Sequence, residues 1–166
     1  MTVAPTAGIG ARQVRMEDPG LLTGRDKFTA DLDIQGALHA VFVRSPVAHA
    51  RIVGITVSEA AAAPGVVTVL TSRDLDVPRV FYPAFGRLID DAYHRPPLAL
   101  DTVRFVGDIV AVVVAETRVQ AHDAAELVEV DYDPLGVVVD PDAAASPDAP
   151  LLFPTTGTNV AVDISF

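Results

Sequence analysis

Seven consecutive apolar residues, Ile109–Ala115 (IVAVVVA), place the tightest limit on what this chain can fold into. The run is short for a helix and lacks the polar alternation of a half-exposed strand, so it predicts a strand covered on both faces. Thr117 follows, with Gln120 three residues on. This T-x-x-Q box predicts a helix start, and Ala121, Ala124, Ala125 and Val128 fall on one stripe of that helix. Side chains that small let a helix lie close against a sheet. Val128, Val130 and Tyr132 then alternate with Glu129, Asp131 and Asp133, the period of a strand with one polar face, before Asp133-Pro134-Leu135-Gly136 turns the chain.

A second strand-helix-strand pattern precedes this one. Residues 38–44 (LHAVFVR) and 50–57 (ARIVGITV) read as strands joined in a hairpin through the turn at Ser45-Pro46. Ser58 is placed to cap a short helix over 59–63, Pro64-Gly65 stops it, and Val66–Thr71 resumes as a strand. Residues 103–107 read as a strand ahead of the apolar run, and Asp140 or Pro141 opens a last alanine-rich turn of helix. The stretch 72–101 holds four prolines among Phe81, Tyr82, Phe85, Tyr93 and His94, and reads as a long loop of the kind that is functional or inserted. Residues 1–10 are small and loop-prone, a flexible tail. The strand-like end at Phe166 carries no helix cap or polar terminus, as if the chain passed on to a further element. With few, short helices, the expected class is α/β (α+β-like) with a mixed β-sheet, residues 11–166 forming one domain.

Composition narrows the functions open to such a domain. The 166 residues contain no cysteine, which removes disulfides, cysteine nucleophiles and thiolate-ligated clusters on this chain. The formal net charge is -10, and from Val119 onward nine acidic residues stand without one Lys or Arg. With no basic run, a nucleic-acid partner is not expected. No stretch nears the roughly 20 apolar residues that span a bilayer, and no signal peptide opens the chain, so the expectation is a cytoplasmic protein without a membrane partner.

Catalytic candidates are few. His39, His49, His94 and His122 are the near-neutral bases, but no H-x-H, H-x3-H or H-E-x-x-H spacing joins them, and neither a dinucleotide fingerprint, a phosphate loop nor a G-x-S-x-G elbow is present. Asp90-Asp91-x-x-His94 is the nearest approach to a cation site and reads as a solvated loop. The densest polar phrase is R-S-P-V-A-H-A-R, with Arg44, Ser45, His49 and Arg51 around a proline-fixed turn. It reads either as an ordinary hairpin with local ion pairs or as a docking loop for a partner's carboxylates or main chain. Gly107 is expected to be structural, at a bend between two strands where a Cβ would clash.

Five phrases in order carry a resemblance. G-x-x-x-x-R-x-E-D-P-x-L-L-T-G-R (Gly10 to Arg25, through Arg15, Glu17, Asp18, Pro19, Thr23 and Gly24), LHAVFVRSPVAHARI, APGVVTVLT, PPLALDTVRFVGDIVAVVVAET and AAELVEVDYDPL together resemble the start of the large, molybdenum-binding subunit of the molybdenum hydroxylases. That family includes xanthine dehydrogenase, aldehyde oxidase and aerobic carbon monoxide dehydrogenase. The resemblance implies the N-terminal a/b hammerhead domain, which carries no catalytic, cofactor-binding or metal-binding residue. The molybdopterin-molybdenum site is implied in downstream domains, and the [2Fe-2S] clusters and FAD in partner subunits or domains. The implied parent reaction is water-dependent oxidation of an aldehyde, purine, N-heterocycle or carbon monoxide.

The expected function is therefore a non-catalytic structural or assembly module, inactive alone. Arg44, Ser45, His49 and Arg51 are its candidate contact with the iron-sulfur subunit or the next cofactor domain. The alternative is a stand-alone regulatory or small-ligand-binding α/β domain using the aromatic loop from Phe81 to Tyr93 as a pocket wall. A third reading, a hydrolase or isomerase using His94 with Asp90 or Asp91, rests on loop proximity.

Overall fold

The computed structural model describes residues 15–32, 34–76 and 89–164. These fall into two compact units divided between Ala37 and Leu38. The tail read at 1–10 lies outside the described residues, as do Phe81, Tyr82 and Phe85 of the expected loop.

In the first unit the R-x-E-D-P and T-G-R phrases make one capped turn of helix, α1 (Asp18–Leu22). Pro19 sits in its first turn, where a missing N–H leaves no helical bond unmade. Thr23 closes it by donating its hydroxyl to the Pro19 carbonyl at 2.7 Å.

Among the described residues the second unit holds six strands: β1 (His39–Arg44), β2 (Ala50–Thr56), β3 (Val66–Thr71), β4 (Thr102–Val103), β5 (Ile109–Ala115) and β6 (Glu129–Pro134). The expected fold class, with few and short helices, is the one observed. Its strands are divided between two three-stranded sheets, ordered β1-β5-β3 and β4-β2-β6. The ladders described are antiparallel.

The hairpin expected between residues 38 and 57 is not formed. β1 pairs with β5 and β2 with β6, so residues 45–49 carry the chain from one sheet to the other. Two adjacent β-rich segments with a proline turn between them look alike in sequence whether they pair or part; what decides is that each finds a longer-range partner.

Three other local readings change. The strand expected at 103–107 is only Thr102–Val103, because Gly107 takes φ +94° and Asp108 N donates to Phe105 O at 3.1 Å, closing a turn. Helix α2 is Ser58–Ala62 with Val57 at its cap position and no side-chain capping bond, so Ser58 lies inside the first turn. The strand-like end has no strand over 161–164, Phe166 itself lying outside the described residues, whereas the last helical turn, α4 (Pro141–Ala144), is opened as expected by Asp140, whose carboxylate accepts from Ala143 N at 2.8 Å.

The capping box reads correctly. Thr117 accepts from Gln120 N, and Gln120 Oε1 accepts from Thr117 N at 3.1 Å and from the Thr117 hydroxyl at 2.8 Å, starting α3 (Arg118–Ala125). Ala121 and Ala124 on its stripe have no exposure, and neither do Ala111, Val113 and Ala115 of β5, on which α3 packs. Gly65, with φ +76°, ends the α2 turn, and an added Cβ would run into the Gln120 side chain. Its carbonyl also accepts from Glu116 N at 2.9 Å, tying the turn to the entry of α3.

The core groups Ala50, Ala99, Val103 and Val110, with Val43, Val47, Ile52, Ile55, Val130 and Tyr132 packed around them. It therefore draws on both sheets and sits beside the crossing at 45–49. β5 is less evenly covered than its sequence suggests: no residue of it is exposed and Val110 is fully buried, but Val112 and Val114, on the face away from α3, are only partly buried.

Candidate functional site

The crossing between sheets brings together only some of the polar residues that the sequence singled out. Arg44, the last residue of β1, donates from Nη1 to the Gly107 carbonyl at 2.9 Å. Ser45 and the turn before β5 exchange two main-chain bonds, Ser45 N to Asp108 O and Gly107 N to Ser45 O, both 2.8 Å. The Ser45 hydroxyl donates to Val47 O at 2.8 Å and accepts from Val47 N at 3.2 Å, a turn fixed by its own side chain. Arg44, Ser45 and Gly107 thus come together as one joint.

His49 and Arg51 belong to a different neighbourhood. His49 is 6 % exposed and its Nδ1 lies 2.7 Å from the Gly136 carbonyl. A carbonyl oxygen can only accept, so Nδ1 carries the proton and the ring is a donor here. Leu135 N returns a bond to His49 O at 2.9 Å, which fastens the end of β6 to the start of β2. Arg51 sits opposite Asp133 in the β2–β6 ladder, with Nε 3.3 Å from Oδ2 and both side chains more than half exposed. An exposed pair of that kind adds little to stability.

The Cβ clash expected at Gly107 is not found. Nothing lies within 4 Å of where its Cβ would be. The requirement is the backbone angle, φ +94°, which aims its carbonyl at Arg44 and its N–H at Ser45.

The residue that sequence reasoning passed over is Asp108. It is 3 % exposed, and its carboxylate accepts from Arg95 Nη1 at 2.9 Å and from Arg104 N at 3.1 Å. A buried carboxylate is tolerable only with such partners. Tyr132 of β6 feels the same charge: burial holds its phenol above the ordinary tyrosine value, a Ser45 hydrogen bond opposes this, and the Asp108 charge reinforces it. The available signal was a single carboxylate, Asp108, between VRFVG and the apolar run IVAVVVA. A charge in that position is solvent-facing or paired, and only distant residues decide which.

Arg104 extends the joint to the C-terminal segment. Its Nε donates to Leu152 O at 2.8 Å, and its guanidinium lies 4.5 Å from the centre of the Phe153 ring. Phe153 meets Tyr93 edge to face at 5.4 Å, and the Tyr93 hydroxyl reaches the Thr158 and Val160 carbonyls at 2.9 and 3.1 Å. A groove of about 410 Å³ bordered by His94, Arg95, Asp101, Arg104 and Phe153 runs along one side. Another of about 440 Å³, between His49, Arg51, Arg104 and Leu152, runs along the other. The aromatic wall expected for a ligand pocket is described only at Tyr93, which faces a recess of about 280 Å³ with Ile89, Phe153 and Asn159.

His94 is 8 % exposed, with Nδ1 3.3 Å from an Asp91 oxygen, whereas Asp90 turns to accept from Ala92 N at 2.8 Å. Asp90, Asp91 and His94 therefore do not converge on one point. Among the described residues no three His, Asp or Glu side chains are grouped to hold a metal ion. His39 and His122 lie exposed on β1 and α3. No helix among the described residues is long and apolar enough to cross a membrane.

Comparison with known proteins places this arrangement among others. Residues 23–136 match the family described as aldehyde oxidase and xanthine dehydrogenase, a/b hammerhead domain. The chain is 47 % identical over 137 residues to the nicotine 6-hydroxylase large subunit of Paenarthrobacter nicotinovorans, covering 80 % of this chain and 16 % of that protein. It is 44 % identical over 159 residues to the carbon monoxide dehydrogenase large chain of Afipia carboxidovorans, covering 91 % and 19 %. The solved structure of reconstituted CO dehydrogenase from Oligotropha carboxidovorans superposes with a TM-score of 0.73 at 43 % identity, over 86 % of this chain and 17 % of that one. The chain thus spans less than a fifth of the length of these relatives.

Proposed function

The chain belongs to the aldehyde oxidase and xanthine dehydrogenase a/b hammerhead family, and on that premise we propose that it is a structural and assembly module of a molybdenum hydroxylase large subunit. The observation that carries this reading is how the polar residues at the crossing are used. Ser45, His49, Arg44 and Arg104 bond main-chain atoms of this same chain, and Arg95 with Asp108 forms an ion pair inside it. These side chains tie turns and strand ends of the chain to one another; none is left poised as nucleophile and base toward a bound molecule.

The parent reaction under this reading is water-dependent oxidation of an aldehyde, purine, other N-heterocycle or carbon monoxide. Its redox groups are a molybdopterin-bound molybdenum in downstream domains and [2Fe-2S] clusters and FAD on partner subunits or domains. The described residues do not fit such groups. The chain has no cysteine to supply a cluster thiolate, and the guanidiniums of Arg95 and Arg104 that border its grooves are engaged by Asp108 and by Leu152 with Phe153. No catalytic step is assigned to it.

Residues 11–166 act here as one module in the cytoplasm. Arg44 and Arg51, the exposed members of the docking phrase, meet the iron-sulfur subunit or the following cofactor domain, while buried Ser45 and His49 hold the crossing that presents them. Co-purification of Arg44→Ala and Arg51→Ala variants with the other subunits is the test. Reduced recovery is expected for each; undiminished recovery of both removes these arginines from the interface. The isolated chain is expected to show no molybdenum, no flavin or iron-sulfur absorption, and no turnover. Bound molybdenum or measurable turnover would reverse the module reading.

A further inference from the structure

The sheet β1-β5-β3 has two unlike faces. In register, Ala40, Val114 and Thr68 stand in one row across the three strands, and Phe42, Val112 and Leu70 in the next. Both rows lie on the face opposite Ala111, Val113 and Ala115, the fully buried residues beneath α3. On that opposite face Phe42 is 48 % exposed and Val112, Val114, Thr68 and Leu70 are only partly buried. The central strand of a sheet, paired on both edges, thus leaves two valines incompletely covered next to an exposed phenylalanine.

The sequence of β5 does not match that exposure. A strand with one face in water alternates apolar with polar residues, whereas IVAVVVA is apolar at each position, the composition of a strand covered on both sides. β6 shows that this chain does use the alternating pattern where a face is wet: Glu129, Asp131 and Asp133 are exposed while Val130 and Tyr132 turn inward. The apolar rows of β5 are therefore written for a cover.

We propose that the face formed by Phe42, Leu70, Val112 and Val114 is a docking surface covered by the remainder of the large-subunit polypeptide. This rests on the module reading above. The matched relatives carry more than four-fifths of their length outside the part this chain represents, so polypeptide of the same subunit is the nearest available cover. The occupant must present aliphatic or aromatic side chains over β5. At the rim it must present a hydrogen-bond acceptor to Arg44, whose guanidinium lies 5.7 Å from the centre of the Phe42 ring and which sits at the end of the exposed strand. A second copy of this chain is the competing occupant.

The test replaces the matching 159 residues of the Afipia carboxidovorans carbon monoxide dehydrogenase large chain with this chain, carrying Phe42→Glu, Phe42→Ser or, as a control on the other sheet, Val53→Glu. Val53 is 63 % exposed. The assembled enzyme is expected to be recovered with the unsubstituted chain and with Val53→Glu, to fall at least tenfold with Phe42→Glu, and to fall less with Phe42→Ser. Circular dichroism and melting of the same variants of the isolated chain are expected to be unchanged. Full recovery with Phe42→Glu overturns the docking face while leaving the module reading intact. Failure of the unsubstituted chimera to assemble overturns the module reading and the face with it. Sedimentation of the isolated chain as a dimer that Phe42→Glu converts to monomer assigns the face to a second copy and overturns the proposal.

Discussion

Arg95 donates to Asp108 across 2.9 Å, joining a guanidinium one third exposed to a carboxylate that is 5 % exposed. The pair stands where the approach to β5 meets the crossing between the two sheets. Removing only the cation leaves Asp108 buried with the Arg104 N–H as its described donor. Arg95→Met is expected to cost about 3 kcal/mol in urea unfolding. Asp108→Asn placed on the same chain is expected to recover part of that loss, since it removes the orphaned charge. A double variant as unstable as the sum of the two singles would show that the pair is not coupled.

Gly107 carries its requirement in φ, not in space. Gly107→Ala is expected to lose about 1 to 2 kcal/mol, and Gly107→Val more, because a β-branched side chain resists positive φ. Gly107→Asn is expected to fall between glycine and alanine. Melting curves of the three order them; valine as stable as glycine would show that the left-handed angle can be relaxed without loss.

Gly65 combines both constraints, positive φ and a Cβ that would meet Gln120. Gly65→Ala is expected to destabilise by about 2 kcal/mol. Measured again in a Gln120→Ala background, where the obstructing side chain and the cap are already gone, the same substitution should cost visibly less. Equal costs in the two backgrounds would remove the collision from the account.

Tyr132 gives the structure a pH dependence at the alkaline end. Burial is the main cause that raises its phenol, against the Ser45 hydrogen bond and with the Asp108 charge. The unfolded chain ionises first, near pH 10. Stability is therefore unaffected below that point and falls as the pH rises through the folded-state value. The slope of unfolding free energy above pH 10 is expected to be smaller in Tyr132→Phe than in the parent; identical slopes would place the effect elsewhere.

What could be read in the sequence was whatever short-range chemistry settles alone. The Thr117–Gln120 box is satisfied within one turn of chain, Pro64-Gly65 ends a helix by its own backbone limits, and the polar alternation of 129–133 states which side of β6 faces water. The ordered phrases from Gly10 to Leu135 likewise implied the family and its fold. Of the site candidates, the clustering of Arg44 to Arg51 was visible, but its division into a joint at Gly107 and a separate fastening at Gly136 was not. A crossing and a hairpin turn share the same local sequence.

Tertiary structure decided the rest, and the physical reason is common to each case. β1 and β2 part because their partners are β5 and β6, some 60 to 90 residues further along the chain. Asp108 is an interior anchor only because Arg95 and the 104–108 turn are folded against it. The continuous apolar character of Ile109–Ala115 determined that this segment would be a strand at the centre of a sheet. Which of its faces this chain buries fully and which only in part depended on where α3 could pack, and pairing and packing over such distances are not encoded in any local stretch of residues.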